Sequence, residues 1–526
     1  SSLCFFMQNP NFIFSKGLGF LAWFLYFFIL LLIDITNKKF VFLVGLIYGV
    51  LSYGLFTNWL INYDFLVWVV VFVVYGLFFG ILFVLLKFIR SNFGKFSFLI
   101  QWATICGFEY IKTKGFFGFS YGVTGYTQWN YSVLIQCAEF IGVFGLSALI
   151  IFPSVVLENI FYEYKNCKNV SKKFYYSLST WFIIFVSFLI FGFVKLNKMQ
   201  NKENNQTVKV AAIQNNENPF LSGIDIYTEN VNELIRLTEK AFEENPNIDF
   251  VIWPETSVVP SIMLQYYNPT DKKREELIQN LLNYIESKNA TFVIGNAHVE
   301  IDKINKKFYD YNSALVFTSK KNVIPPKPLV YSKNHLVPIS ESFPWKEKFP
   351  KIYDYLQKNG SSMWTQGKEI NVFDINNFRF STPICFEDTF GDICRKMRMN
   401  GAECFFNLSN DAWSKSLACQ NQHLAMAVFR CVENKIPAVR STSSGQTCII
   451  NQYGTIEEMC EPFCSSYLVG NVPITNFEQE EMTFYTKTGD LFGFVFFIFS
   501  LIMLLTKIFI GIIKTWQIRK LMKKEM

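Results

Sequence analysis

Three residues stand beside apolar runs, where a side chain is held in place and can do chemistry: Glu255, Lys333 and Cys385. Glu255 follows the run Asp249–Trp253 (DFVIW) through Pro254. A carboxyl group at the rim of a pocket is poorly hydrated, which raises its pKa and suits it to take and return protons near neutral pH. Lys333 lies in Tyr331-Ser-Lys-Asn-His-Leu-Val-Pro338. In a pocket, its ammonium would stabilise a developing oxyanion. Cys385 ends the run Phe378–Ile384 and is followed by Phe386, Glu387 and Asp388. A thiol there is a nucleophile if an adjacent base takes its proton and a nearby cation steadies the charge. Each residue also has an ordinary reading: a loop or capping carboxylate, a surface lysine beside a turn, an inert buried thiol.

The elements that would position these residues are legible between 200 and 489. Thr207–Ile213, Asp249–Trp253, Thr291–Gly295, Phe378–Ile384, Glu403–Leu408, Ala438–Thr442 and Thr447–Asn451 read as strands. Residues 225–243, 271–287 and 420–433 have helical spacing. Buried strands alternating with helices predict an α/β layered fold, with active residues at strand ends.

The remainder is of a different kind. The chain has 526 residues, 51% hydrophobic and 17% charged, with 59 Phe. Soluble domains carry about 25% charged residues. This composition excludes a disordered chain, a small disulfide scaffold and a fully soluble enzyme. A bilayer crossing needs about 20 apolar residues. Apolar runs lie at about 17–36, 40–57, 66–88, 96–111, 132–157 and 176–195, and a closing one at about 491–513. The expected organisation is an N-terminal membrane helical bundle over 1–199, a catalytic domain over 200–489, and a last membrane helix with a basic tail over 490–526. The run 96–111 contains Gln101 and Glu109, so a re-entrant or interfacial segment is its alternative reading. Glu139 falls inside the fifth run and is a functional candidate, because an intramembrane carboxylate is costly; a packing role beside Gly142 and Gly145 is its alternative. Ser1–Met7 reads as the end of a further span, with a cleaved leader as the competing explanation.

The net charge of +7 follows topology rather than nucleic acid. Lys38–Lys39, Lys87–Lys95, Lys165–Lys173 and the tail after Lys514 alternate with segments poor in basic residues. The positive-inside rule puts the basic set in the cytoplasm and residues 200–489 on the opposite side. Twelve Cys and three His (His298, His335, His423) include no CxxC pair, so neither a zinc site nor any cofactor is expected. Cys460 and Cys464 could pair in an oxidising compartment.

Taken together, WPETS around Glu255, KNHLVPISESFP from Lys333, CFED from Cys385, SNDAWS from Ser409, QHLAMAVFR from Gln422 and YTKTGD from Tyr485 are far more specific than their parts. They resemble the nitrilase superfamily, and within it the membrane branch of apolipoprotein N-acyltransferases, over nearly the whole chain. The resemblance implies an αββα sandwich beside a membrane α-helical bundle of eight spans, one of which this chain may lack. It implies Glu255 as general base and acid, Lys333 as oxyanion stabiliser and Cys385 as nucleophile. Glu341 and Glu387 would support the site, and the Phe386 N–H would join the oxyanion hole. Trp253, Asn410 and Trp413 would contact substrate. The implied reaction moves an acyl chain from a phospholipid, through a Cys thioester, to the α-amine of a diacylglyceryl-cysteine on an apolipoprotein. Such a protein sits in the bacterial inner membrane with its catalytic domain in the periplasm. Three positions depart from the family pattern: Ser340 before Glu341, Phe386 after the nucleophile, and Ser414-Lys415 after the Trp. Because both substrates are lipids, the apolar loops Val258–Tyr267 and Phe343–Tyr355 are expected to form a membrane-facing mouth. The rival readings are a membrane-tethered amidase using the same three residues, a non-catalytic membrane scaffold, and a Cys–His protease using His335 or His423. The last leaves Glu255 and Lys333 without roles.

Overall fold

Two hydrophobic periods divide the chain: helices apolar on every side, and short strands that alternate. The computed structural model describes residues 1–199, 206–302, 307–358, 361–474 and 482–525. It separates into two compact units, Ser1–Phe193 with Asp490–Met526, and Val194–Gly489.

The first unit is helical. Among the described residues, four helices are long and apolar enough to cross a membrane: Phe65–Asn92, Ala138–Cys167, Lys172–Lys198 and Leu491–Lys523. Three of the expected spans are shorter helices, Ala22–Ile35, Val41–Phe56 and Ser97–Ile111, of 14, 16 and 15 residues. At a rise of about 1.5 Å per residue they extend only ~21–24 Å, short of a hydrocarbon core of about 30 Å. Close packing fixes the pair Val41–Phe56 and Phe65–Asn92: a Cβ on Gly49 would lie 2.7 Å from the Tyr75 carbonyl oxygen. Asp64 caps the longer of the two by accepting from the Leu66 and Val67 amides at 2.7 and 3.0 Å.

Glu139 is not at the centre of a span. It lies in the first turn of Ala138–Cys167, three residues before Gly142, whose φ of 60° and ψ of −179° interrupt the helix. The deeply buried carboxylates of this unit are Glu109 and Glu158. Glu158 pairs with Arg90, which also reaches Asp34 at 3.0 Å.

The second unit is a two-sheet sandwich. The first sheet contains β1 (Thr207–Gln214), β2 (Phe250–Ile252), β3 (Thr291–Asp302), β4 (Lys307–Thr318) and β5 (Leu329–Ser332). The second contains β6 (Phe373–Ile375), β7 (Phe378–Ser381), β8 (Cys404–Ser409), β9 (Ala438–Thr442), β10 (Cys448–Ile450) and β11 (Ile456–Met459). The last strand, β12 (Ser466–Pro473), returns to the first sheet. The spatial orders are β12-β1-β2-β3-β4-β5 and β11-β10-β9-β8-β7-β6. At the centre of each, β1–β2–β3 and β7–β8–β9 run parallel.

Alternation along β2 sorts the layers. Phe250 packs across the sandwich on Phe378, Phe380 and Phe406, with centroids 5.4–5.5 Å apart. Val251 and Trp253 join the opposite layer with Leu234, Leu237, Leu277 and Leu281 of the helices Ile224–Glu244 and Lys272–Ser287. Helices Gly391–Met399 and Leu417–Asn434 belong with the second sheet. This is the αββα arrangement. Ser441 Oγ ties the sheets together, donating to the carbonyls of Ile213 (2.7 Å) and Ile252 (3.0 Å). Cys460 and Cys464 are free thiols.

Of the two loops expected at a membrane-facing mouth, Val258–Tyr267 is largely internal. Val258 and Ile262 are fully buried in the layer between the first sheet and its helices, because Val258 bridges to Asn296 of β3 and fixes the segment to the sheet. The other loop is open: Phe349, Ile352 and Tyr355 are exposed on and beside the helix Pro350–Lys358, while Leu356 faces inward.

Candidate active site

The parallel strands deliver their C-terminal ends to one place, and the polar side chains gather there. β2 runs out into Pro254-Glu255, and Thr256 turns with φ +47°. That turn lies against β3 so closely that a Cβ on Gly295 would be 2.1 Å from the Pro254 oxygen. Only glycine permits this approach, which holds Glu255 against the sheet. β5 runs out into Lys333, whose N–H donates to the Asn312 carbonyl of β4 at 2.8 Å.

These ends meet. Lys333 Nζ lies 3.0 Å from Glu255 Oε1 and 2.9 Å from Glu341 Oε1. Asn312 Nδ2 donates to the same two oxygens at 2.8 and 3.3 Å. Glu341 Oε2 accepts from the Val337 amide at 2.8 Å. Lys333 and Glu255 are 1% and 6% exposed. Burial alone would strip Lys333 of its charge; Glu255 and Glu341 outweigh it and hold the ammonium well above the ordinary lysine range.

Cys385 follows Ile384, which bridges to Leu408 at the end of β8. It opens the short helix Cys385–Thr389 and adopts φ +48°, a strained conformation for a residue with a Cβ. Such strain persists only where the surroundings over-determine it. Here Glu387 does so. Its carboxylate is fully buried and accepts from the Ile384 amide (2.8 Å), the Asn334 amide (2.6 Å), the His335 amide (3.1 Å) and the Tyr331 hydroxyl (2.9 Å). One carboxylate thus locks the Cys385 turn to the segment carrying Lys333. Burial lifts the Cys385 thiol well above its usual range; Glu255 raises it further and Lys333 opposes. Phe386 N–H is in the first turn of the helix, where the helix itself supplies no acceptor. The Phe386 ring packs edge-on against Phe390 at 4.9 Å.

A second ionic layer supports the turn; of its members, sequence reading weighs only His423, as the base of a Cys–His protease. His423 Nε2 lies 2.6 Å from Asp388 Oδ1 and 3.2 Å from the Cys385 carbonyl oxygen, and Nδ1 lies 3.0 Å from Asp411 Oδ2. Arg440 pairs with the other Asp388 oxygen. Burial works against the imidazolium, but Asp388 and Asp411 push its pKa up to about 10. A ring whose two nitrogens are both engaged by carboxylates has none left to take the Cys385 proton, which argues against the protease reading for His423. The ring of His335, the other candidate, stacks on Phe390 at 3.8 Å. Cys385, Asp411 and His423 present ligand atoms within 4.8 Å of one another, but the same hydrogen bonds occupy the imidazole. Asn312, Asp388, Asp411, His423 and Arg440 thus gather at the site; CFED, SNDAW and QHLAMAVFR carry three of them, while Asn312 and Arg440 lie in no quoted motif.

The three expected substrate contacts separate. Trp253 is fully buried, its indole N–H donating to Thr238 Oγ1 at 3.1 Å. The residue after Ile252 continues the strand alternation into the helix layer. Asn410 is half-buried and donates to Glu217 Oε1 at 3.0 Å. Trp413 is half-buried in the turn Ala412–Ser414.

Comparison with known proteins agrees with this architecture. Residues 209–474 match the carbon-nitrogen hydrolase family and residues 2–156 match the apolipoprotein N-acyltransferase N-terminal domain. Apolipoprotein N-acyltransferase 1 of Treponema denticola is 39% identical over 94% of this chain and 92% of its own length. Apolipoprotein N-acyltransferase 1 of Treponema pallidum is 38% identical over 77% of this chain and 76% of its own. The apolipoprotein N-acyltransferase of Borreliella burgdorferi is 31% identical over 73% and 70%. With its long apolar helices and its nitrilase-like sandwich, this membrane protein belongs to the apolipoprotein N-acyltransferase family.

Proposed function

We propose that this protein transfers an acyl chain from a phospholipid to the α-amine of a diacylglyceryl-modified N-terminal cysteine of an apolipoprotein, with Cys385 as the acyl carrier. The observation that carries the reading is one buried lysine bound to two carboxylates, with a strained cysteine turn locked to the same segment. In the first half-reaction, Cys385 Sγ attacks the ester carbonyl and its proton passes to Glu255. Lys333 and the Phe386 N–H hold the tetrahedral oxyanion. Collapse breaks the ester C–O bond, and the lysophospholipid oxygen leaves with the proton from Glu255. In the second half-reaction, the acceptor amine attacks the thioester, Glu255 takes an amine proton, and the thiolate leaves to be reprotonated. A thioester is more reactive towards amines than an oxygen ester, which is the chemical reason for a cysteine here. Glu341 and Asn312 position the Glu255–Lys333 pair, and Trp413 lines the approach of substrate.

Both substrates are lipids, and exposing an acyl chain to water costs about 0.8 kcal/mol per CH₂. We place the catalytic domain on the periplasmic face of the inner membrane, as the alternation of basic segments supports. Phe349, Ile352 and Tyr355 are its lipid-contacting residues. The test supplies the detergent-purified protein with phospholipid and then with a diacylglyceryl-cysteine peptide. The expected result is lysophospholipid release and a peptide heavier by one acyl group, both lost in Cys385→Ala. Ammonia release from short amides, with no lysophospholipid, would support the membrane-tethered amidase instead.

A further inference from the structure

Near Glu255 lies a second carboxylate that the mechanism above does not use. β1 runs parallel to β2, with Ala212 opposite Ile252, and ends at Gln214. The chain then turns at Asn216, where φ is +52°. The turn is held from three sides. Asn216 N–H donates to the Ser443 carbonyl at 2.6 Å, Ser465 Oγ to the Asn215 carbonyl at 3.1 Å, and Gln214 Nε2 to the carbonyls of Glu461 and Cys464 at 2.7 and 2.8 Å. This delivers Glu217 into a ring of amides. Asn410 Nδ2 donates to Oε1 at 3.0 Å, while Asn230 Nδ2 and Asn215 Nδ2 donate to Oε2 at 3.2 and 3.3 Å.

Three neutral amides hold the carboxylate in place, and none of them supplies the positive charge that its ionised form lacks. Among the described residues no ion pair reaches Glu217, whereas Glu255 and Glu341 share Lys333. Asn410 is followed by Asp411, which holds His423, which in turn reaches the Cys385 carbonyl. The carboxylate is thus built into the same framework as the proposed nucleophile. Burial raises its pKa to about 7, against the pull of the Asn215 and Asn410 amides and with Glu255 adding to the rise. A cation arriving beside it would complete its ionisation.

We propose that Glu217 seats the primary ammonium group of a substrate at the edge of the Cys385 site. The inference rests on the acyl-transfer reading. That reaction offers two primary ammonium groups: the α-amine of the acceptor, largely protonated at neutral pH, and an ethanolamine headgroup on the donor.

The test uses the full chain and separates the half-reactions. Thioester formation is followed from vesicles of phosphatidylethanolamine and of phosphatidylglycerol. Transfer from the preformed thioester is followed against diacylglyceryl-cysteine peptide concentration. Glu217→Gln keeps the shape but only one acceptor oxygen, so it retains at most two of the three amide contacts; Glu217→Asp keeps the charge. If the acceptor is the ligand, Glu217→Gln raises the peptide KM by about 10- to 100-fold, Glu217→Asp restores part of it, and both lipids still form thioester at the parental rate. If the headgroup is the ligand, Glu217→Gln slows thioester formation from phosphatidylethanolamine alone. Unchanged rates in all three assays, or an equal fall in all three, overturn the proposal, the second outcome marking a merely structural carboxylate. A parent protein that forms no thioester fails at the acyl-transfer reading itself and takes this inference with it.

Discussion

Each unit of this protein buries a lysine against glutamate, and the two clusters are built differently. In the helical unit, Lys112 Nζ lies 3.2 Å from Glu109 Oε1 and donates to the Gly122 carbonyl at 2.9 Å. Glu109 also accepts from the Tyr26 hydroxyl at 2.9 Å and the Thr124 amide at 2.8 Å. One cation meets one anion, the remaining contacts are neutral, and together they staple the loop between Lys112 and Thr124. In the sandwich, one cation meets two carboxylates, and a thiol stands within their electrostatic reach. The first cluster has no spare capacity. The second has one carboxylate more than its lysine can neutralise, so a proton has somewhere to go. The stoichiometry of charge, rather than burial, separates a staple from a site.

The comparison can be broken most directly through the surplus carboxylate. Glu255→Gln should slow thioester formation by about 10²–10⁴-fold while leaving the melting temperature of the purified protein near the parental value. A rate within tenfold of the parent would remove Glu255 from the proton path. Next in size are the two lysines. Lys333→Met and Lys112→Met should each destabilise by about 3–5 kcal/mol, because each strands buried carboxylate. Only Lys333→Met should also abolish thioester formation by the folded fraction. If Lys112→Met did so equally, the distinction between the clusters would fall.

A pH titration sharpens the same comparison in the layer beneath Cys385. His423 has its folded-state pKa raised to about 10 from an ordinary 6.5. The folded state therefore binds the extra proton between these values, and stability falls as pH rises. The contribution is fully present below pH 6.5 and lost as pH passes through about 10, at up to about 1.4 kcal/mol per pH unit. Melting curves across that window should show the fall in the parent and a flatter profile in His423→Gln; parallel profiles would contradict the assignment. The smallest expected effect separates neutral contacts. Tyr26→Phe removes one hydrogen bond to Glu109 and should cost about 1 kcal/mol with no change in rate. Asn312→Ala, at the matching place in the site, should lower the rate as well.

The positions most legible in the sequence were those where a strand ends and a motif begins. Glu255, Lys333 and Cys385 each sit beside an apolar run, so their neighbours fix their place, whereas Glu341 was named only through the family resemblance. The burial of Trp253 in the helix layer follows from strand alternation continuing one residue past the last ladder bond. Glu139 lies inside the candidate span Ala138–Cys167, in its first turn before the interruption at Gly142. The layer of Asp388, Asp411, His423 and Arg440 was not legible. Its members come from the short helix after Cys385, the turn after β8, the helix Leu417–Asn434 and β9, and nothing in their separate segments records that they converge. Glu217 is similar: its three amides lie at 215, 230 and 410, and only the fold brings them to one carboxylate.

The central claim is that the sandwich cluster makes Cys385 an acyl carrier. It is tested by the intact mass of the detergent-purified protein after incubation with phospholipid alone. The account predicts a fatty-acyl adduct that hydroxylamine removes and that Cys385→Ala lacks. An unmodified mass with phospholipid demonstrably bound, or an adduct that survives in Cys385→Ala, would contradict it.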